Sequence, residues 1–520
     1  MRARRTSARR YTIIVVLVTS MALTLVSRLY YLQLLDPNKP VQTAGLLHQG
    51  IIVIPAPRGE IVDANGKPLV DNTSVQVLTV DHDTLVQLPD HGAAVLNALA
   101  DLLDTSPATI GAETTPCSKT VPAPCWVGEP YQPVPIAANV PDSVVFAVSE
   151  HREQFPGVAI ETVTTAHYPG GSLASHVLGY TSEITAADKK RDPSLNDADQ
   201  IGVSGLEETY DSILRGVDGK QTVNLNPQGY SVGLGGYSAP VQGDTLITSI
   251  DAGVQKLAEA SLAQQIKDSR AKGYKATSGA VIVMDPQTGR VLAAASYPTY
   301  NPQEFVGGIS DANYAALTRP SANDPLLSRA IAGQYAPGST FKLITTSSLL
   351  THHEISASGH YPCPGSLTID GRTKTNYDSE SFANPISLKD ALGYSCDTFF
   401  YAPEATEYYR DQTRLSDGKK PLEYLQHMAA DFGLGRIPGI DLPADEQATG
   451  SYADRETRLA RWNANMTQYC ADAKAGFKSD PSPSDRAYLT ELARENCTDG
   501  WRYRAGDNAD MAIGQGETTL

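Results

Sequence analysis

Seven residues, Ala-Pro-Gly-Ser-Thr-Phe-Lys from Ala336 to Lys342, constrain this chain more than any others. They set a serine and a lysine three positions apart at the start of an apolar run that reads as a helix, FKLITTSSLL. A lysine amine one helical turn from a serine hydroxyl can take its proton. The same spacing recurs at Ser269–Lys272 and Ser416–Lys419. Those two lie in a charged helix end (KDSRAK) and a glycine loop (LSDGKK), and they read as solvated surface. Only Ser339 follows Pro-Gly and precedes a long apolar helix. Burial there lowers a lysine pKa, so the amine can act as a neutral base. A helix N-terminus also aims N–H groups at the charge that develops on a carbonyl oxygen. The pattern implies acyl transfer, with Ser339 as nucleophile and Lys342 as its base.

A second hydroxyl and a carboxylate follow at Ser395 and Asp397, in LGYSCDTFFY. Serine before aspartate and aromatics is ordinary at a helix entry. Downstream of APGSTFK the pair takes another meaning. Ser395 can shuttle a proton between the lysine and a leaving group, and Asp397 can hold the lysine or a substrate amide.

The N-terminus limits where this chemistry takes place. Arg2, Arg4, Arg5, Arg9 and Arg10 precede an apolar stretch from Tyr11 to about Gln33, broken by Arg28. A span needs roughly 20 residues, whereas a cleaved signal has an apolar core of about 7–15. The arginine bias predicts a single uncleaved anchor over 11–33, with residues 1–10 cytoplasmic and the body extracytoplasmic. The net charge of −16 then falls on the exported body and argues against nucleic acid. Six cysteines suit an oxidising compartment. Cys117–Cys125 and Cys470–Cys497 each bracket a loop and are expected to be bonded. Cys363 and Cys396 read either as a third pair or as free thiols. His352-His353 lacks a second ligand pair, and no metal site is read.

Along the chain, IIVIPAPRGEIVD reads as two strands around a Pro-Arg-Gly turn, and Asn65-Gly66 as a hairpin. Residues 80–165 read as short helices and proline-rich loops, and Ala186–Gln200 as an exposed loop. Leu206, Tyr210 and Leu214 mark the apolar face of one short helix. A boundary is placed at 243/244, giving domains over 34–243 and 244–520. The second opens with a strand, an Asp251-capped helix and a hairpin (SGAVIVMDPQTGRVLAAAS) before the serine helix. The fold class is α+β. A polar insertion is expected at about 445–508.

These segments, in order, resemble the class B penicillin-binding proteins. RGEIVDANGKPLVDN, HYPGGSLASHVLGYTSEI and GVSGLEETYDSILRGVDGK resemble the pedestal, or dimerisation, domain. SGAVIVMDPQTGRVLAAASYPTYNP, RAIAGQYAPGSTFK, YSCDTFFY, FGLGRIPGIDLP and MAIGQG resemble the β-lactamase-like transpeptidase domain. The Ser-x-Asp form resembles the elongation-type subgroup, and the Cys117–Cys125 loop actinobacterial members. The resemblance implies a peptidoglycan D,D-transpeptidase, acylated by penicillin, with Ser339, Lys342, Ser395 and Asp397 as its catalytic residues. It implies no cofactor. Its implied partners are peptidoglycan stem peptides, β-lactams, a SEDS-type glycosyltransferase and other elongation proteins. The family's third motif (lysine, serine or threonine, glycine) is expected beyond Gly514–Gly516 and is not met before Leu520; Lys374-Thr375-Asn376 precedes the second motif and lacks the glycine. The transpeptidase domain is therefore read as incomplete, from a truncated sequence or a broken gene, with a non-catalytic scaffold as the competing reading. A β-lactamase is disfavoured by the anchor and pedestal, and a penicillin-sensing receptor by the lack of an effector domain.

Overall fold

The computed structural model describes residues 3–30, 49–118, 120–121, 125–129, 131–193, 195, 200–226, 231–478 and 482–520. They divide into two compact units. One comprises Met1–Lys256, Met284–Ala293 and Tyr300–Arg319; the other comprises Leu257–Val283, Ala294–Thr299 and Pro320–Leu520.

The first unit opens with helix α1 (Ala3–Tyr30), whose Ile14, Val15, Val16, Leu17 and Val18 are exposed. Polar residues dilute its apolar run, and Thr24 turns its hydroxyl back onto the Ser20 carbonyl at 2.9 Å. Among the described residues no helix is long and apolar enough to cross a membrane. The expected anchor thus coincides with a helix but is not established as a span, and residues 31–33 of it lie outside the described residues. Strands β1 (Gln49–Ile54) and β2 (Ile61–Val62) flank the Pro-Arg-Gly turn but enter different sheets. β2 returns through Asn65-Gly66 to pair antiparallel with β3 (Pro68–Val80), Ile61 opposite Val70. Gly66 sits at φ +80°, the turn geometry that Asn-Gly supplies.

Helix α2 (Ala93–Leu103), β4 (Val134–Ala137), α3 (Asp142–Glu150) and β5 (Val158–His167) follow. β3 pairs β5 antiparallel from Asp71–His167 to Val80–Val158, and it also pairs β4. Val95 and Leu99 of α2 and Val144 and Val148 of α3 recur at four-residue spacing, so each helix turns one apolar stripe onto Leu78 and Val80. The expected loop at Ala186–Gln200 instead starts as a helix, Ala186–Arg191, because Thr185 and Asp188 form a capping box. The expected single helix at 205–214 is two, Gly205–Thr209 and Asp211–Leu214, broken at Tyr210. They deliver Glu207 and Asp211 to a buried Arg58, with Nε to Glu207 at 2.6 Å and Nη2 to Asp211 at 2.8 Å. Two of the segments that carry the resemblance thus meet in one ion cluster. Strands β6 (Gly219–Leu225) and β7 (Ser231–Ser238) build a three-stranded sheet with β1, and β8 (Leu246–Ile247) pairs parallel to β2.

Helix α4 (Ala252–Ala271) is capped by the Asp251 carboxylate, which accepts from the N–H groups of Gly253 and Val254. The hairpin β9 (Gly279–Met284) and β10 (Val291–Tyr297) follows. In the second unit the serine helix α5 (Lys342–Thr351) is followed by the hairpin β11 (Ser366–Ile369) and β12 (Arg372–Thr375), α6 (Asp397–Ser416) and α7 (Tyr424–Asp431). The stretch expected as a polar insertion holds two helices, α8 (Arg455–Ala475) and α9 (Pro483–Asp499), bridged by Cys470–Cys497. α10 (Ala505–Ala512) turns Ala505, Ala509 and Ala512, all fully buried, toward the core. Small side chains there let it pack with Phe399, Phe400 and Ala405 of α6, Phe341 before α5, and Leu425 and Ala429 of α7. This core holds the candidate site.

Candidate active site

Ser339 lies in a single 3-10 turn, Gly338–Phe341, which leads directly into α5. Gly338 has φ +58°, and its N–H donates to the Gly514 carbonyl at 2.9 Å. A Cβ on Gly514 would stand 2.4 Å from the Gly338 carbonyl oxygen and 2.6 Å from the Phe341 Cβ. The Gly-Gln-Gly loop after α10 therefore braces the serine turn by backbone contact that only glycine permits. Thr345 adds a buried bond to the Ala512 carbonyl, 2.7 Å.

Ser395 and Asp397 reach the same place from a helix junction. The helix Leu388–Gly393 ends with Cys396 N–H bonded to the Ala391 carbonyl and Ser395 N–H to the Leu392 carbonyl. This is a Schellman closure, with Ser395 at the left-handed position usually given to glycine. Its φ is +57°. Cys396 is then the N-cap of α6, whose first residue is Asp397. The ordinary helix-entry reading of Ser-Cys-Asp and its functional reading thus describe one object.

The four predicted side chains converge. Lys342, 1% exposed, donates from Nζ to the Ser395 carbonyl at 2.8 Å, the Ser395 hydroxyl at 2.8 Å and Asp397 Oδ1 at 2.5 Å. The Ser395 hydroxyl in turn donates to Ser339 Oγ at 2.7 Å. The route from Ser339 to Lys342 thus runs through Ser395. Burial draws the Lys342 ammonium below the usual lysine range, while the Asp397 carboxylate holds its proton on. Phe400 lies under the amine, 5.4 Å to the ring centre. When Lys342 is neutral, the Ser395 proton can pass to it as the Ser339 proton passes to Ser395, leaving an alkoxide able to attack a carbonyl.

The other serine–lysine spacings build nothing similar. The Ser416 hydroxyl donates to the Thr413 carbonyl, whereas the exposed Lys419 faces Asp417 at 3.4 Å. Lys272 is exposed at the end of α4. Lys374 pairs with Asp510 at 2.5 Å. All three cysteine pairs are bonded, Cys363 to Cys396 within the second motif among them. No group of three or more metal-ligating side chains occurs among the described residues. Sequence reasoning missed Asn376, buried beneath the site, whose Oδ1 accepts the Thr398 N–H at 2.9 Å. Nothing in a loop reading YPCPGSLTIDGRTKTNYD marks that asparagine out.

The sequence pattern of the penicillin-binding protein dimerisation domain matches residues 53–248, and that of the penicillin-binding protein transpeptidase domain matches residues 279–468. The chain belongs to the class B penicillin-binding proteins. This penicillin-binding protein is 28% identical over 472 residues to the peptidoglycan D,D-transpeptidase MrdA of Acinetobacter baumannii, covering 89% of this chain and 64% of that one. It is 29% identical over 447 residues to MrdA of Escherichia coli strain K12, covering 84% and 64%. The chain thus spans slightly under two thirds of the length of these curated relatives. Its fold is that of PBP2 solved in complex with MreC from Helicobacter pylori, with TM-score 0.67, 22% identity, and coverage of 91% of this chain and 74% of that one.

Proposed function

We propose that this penicillin-binding protein is a peptidoglycan D,D-transpeptidase of the elongation type, with Ser339 as the acylated nucleophile. The observation that carries this reading is the unbroken line from Ser339 Oγ through Ser395 Oγ to the buried Lys342 Nζ, 2.7 Å and 2.8 Å, closed by Asp397. Ser339 Oγ adds to the carbonyl of the penultimate D-alanine of a donor stem peptide while its proton moves through Ser395 to Lys342. The bond to the terminal D-alanine breaks, and the returning proton leaves with its amine. An amine of a neighbouring stem peptide then attacks the ester, forms the cross-link and restores Ser339. A β-lactam enters the first half of this cycle and stays as an ester.

In this reading residues 34–243 form the pedestal and residues 244–520 belong to the catalytic domain. The segment 11–33 anchors the chain with the five arginines on the cytoplasmic side, and the body works outside. The support is the arginine bias before the exposed apolar face of α1. The partners are nascent or lipid-linked peptidoglycan strands, a SEDS-type polymerase and elongation proteins. The fold neighbour's solution in complex with MreC favours a partner of that kind.

The test is covalent labelling of the protein, expressed from its own gene, by a fluorescent penicillin. Wild type, Ser269→Ala and Ser416→Ala are expected to label, and Ser339→Ala is not. Lys342→Ala is expected to acylate about 10²–10⁴-fold more slowly. Labelling that persists in Ser339→Ala places the nucleophile elsewhere and sinks the proposal.

A further inference from the structure

The middle residue of the second motif is one half of a disulfide. Cys396 stands between Ser395 and Asp397, the two residues that bond the Lys342 amine, and its sulfur is joined to Cys363. Both cysteines are buried, at 3% and 1% exposed. The mechanism above uses neither.

A dense set of bonds ties the Cys363 loop to the same short stretch. Asn376 accepts the Thr398 N–H at 2.9 Å, and its amide donates to the Pro364 carbonyl at 2.9 Å and the Glu380 carbonyl at 2.6 Å. The Thr398 hydroxyl donates to the Pro364 carbonyl at 2.8 Å. Phe382 N–H closes on the Cys363 carbonyl at 3.0 Å. Residues 363–382 are therefore fastened to residues 396–398 by one covalent link and by the side-chain bonds of Asn376 and Thr398.

Ser395 needs such support. It holds φ +57° without being glycine, a strained conformation that persists only where its surroundings fix it. On its N-terminal side it has the Schellman bonds to Leu392 and Ala391. On its C-terminal side the chain passes at once into Cys396, the disulfide and the Asn376 cap. If the backbone relaxed toward ordinary φ, the Ser395 hydroxyl would swing off the line between Ser339 and Lys342.

We infer that the Cys363–Cys396 disulfide and Asn376 form a positioning device that holds Ser395 and Asp397 in register with Lys342. The inference rests on the transpeptidase reading of this site. The disulfide matters because an oxidising compartment supplies a covalent tie at a point where a hydrogen bond alone would leave the left-handed serine free to relax. The Cys470–Cys497 disulfide joins α8 to α9 and has no share in the bonds to residues 396–398 given above, which makes it the natural comparison.

The experiment compares the full chain with Cys363→Ser/Cys396→Ser, Asn376→Ala and Cys470→Ser/Cys497→Ser variants. Acylation by a fluorescent penicillin is resolved into the non-covalent affinity and the rate of the covalent step. Hydrogen exchange of the 394–398 amides is measured without ligand. The first two variants are expected to slow the covalent step at least about tenfold with the affinity changed less than about twofold, because misplacing a reacting group penalises the chemical step. Amide exchange at 394–398 is expected to quicken in the same variants and to stay unchanged in the Cys470/Cys497 pair. If the double serine variant does not fold, Asn376→Ala decides by the same criteria. A covalent rate and exchange indistinguishable from wild type in these variants would overturn the inference. If wild type itself fails to label at Ser339, the transpeptidase reading fails, and exchange at 394–398 alone decides whether the tie holds Ser395.

Discussion

The brace between the Gly-Gln-Gly loop and the serine turn can be tested at a single atom. Gly514→Ala adds a methyl where the nearest backbone oxygen, that of Gly338, lies 2.4 Å away, with the Phe341 Cβ at 2.6 Å and the Gly338 nitrogen at 2.8 Å. Two of these are main-chain atoms, so no rotamer change relieves the contact. The loop has to retreat by about 1 Å to reach ordinary van der Waals separation. Three costs follow. Alanine at φ +67° costs about 1–2 kcal/mol. The retreat stretches the 2.9 Å bond from Gly338 N–H to the Gly514 carbonyl, worth about 1 kcal/mol. Overpacking adds about 1–3 kcal/mol. The expected destabilisation is about 4 kcal/mol. Gly516→Ala is the matched comparison. It has φ +72°, but its added methyl meets only the Asp510 Cβ at 3.3 Å, so about 1–2 kcal/mol is expected.

The assay is denaturant unfolding of the three proteins with a tryptophan or circular-dichroism signal, together with penicillin acylation. Because Gly514 holds the turn that carries Ser339, Gly514→Ala is expected to slow acylation about 100-fold, the scale on which a displacement near 1 Å acts. Gly514→Ala that unfolds with Gly516→Ala and acylates like wild type would refute the argument. It would mean that the loop does not touch the serine turn as described.

Two further expectations are independent of that contact. Burial and Asp411 push the Glu407 carboxyl up to about 7 from an unfolded value of 4.5, so its proton stabilises the fold fully below about pH 4.5, and this contribution, about 3 kcal/mol, is lost as pH rises through about 7; Glu407→Gln is expected to flatten the stability profile between pH 5 and 8, and an unchanged slope counts against the reading. Protease added to intact spheroplasts is expected to degrade the body beyond Pro37, as an arginine-flanked anchor predicts, and protection of the body would overturn the assigned topology.

How much of this was legible in the sequence depends on the distance over which each relation acts. Ser339 and Lys342 lie within one helical turn, so their juxtaposition is written into four consecutive letters once the helix is recognised. The Asn65-Gly66 turn, the Asp251 cap and the β9–β10 hairpin are equally local and were readable for that reason. The Ala186 segment misled because composition alone was weighed there, while the Thr185–Asp188 capping box starts a helix despite the polar run. Ser395 and Asp397 were found through their motif, yet the route by which Ser395 serves Ser339 was not. It depends on a left-handed residue closing one helix and a cysteine capping the next, and neither shows in a Ser-Cys-Asp string.

The long-range relations were the invisible ones, and they are what hold the site together. Cys363 and Cys396 are 33 residues apart, and the spacing alone left pairing and free thiols equally open. Asn376 looks like any polar loop residue until the Thr398 N–H is seen to point at it. Glu404 and Glu407 sit three apart on α6, a pattern that suggests a solvated face. Both are in fact buried, and among the described residues no donor reaches Glu404 Oε1. Burial and the Glu407 carboxyl raise Glu404 well above the carboxylate range, so Glu404 keeps its proton. α6 therefore carries buried acidic side chains along the face that begins beside the site. Asp397 at its start accepts a hydrogen bond from the Lys342 amine, while burial raises the carboxyls of Glu404 and Glu407, two turns on. Only the packed fold places Asp397 against Lys342, and that contact, opposing the pull of burial, sets how readily Lys342 gives up the proton it must lose before it can act as a base.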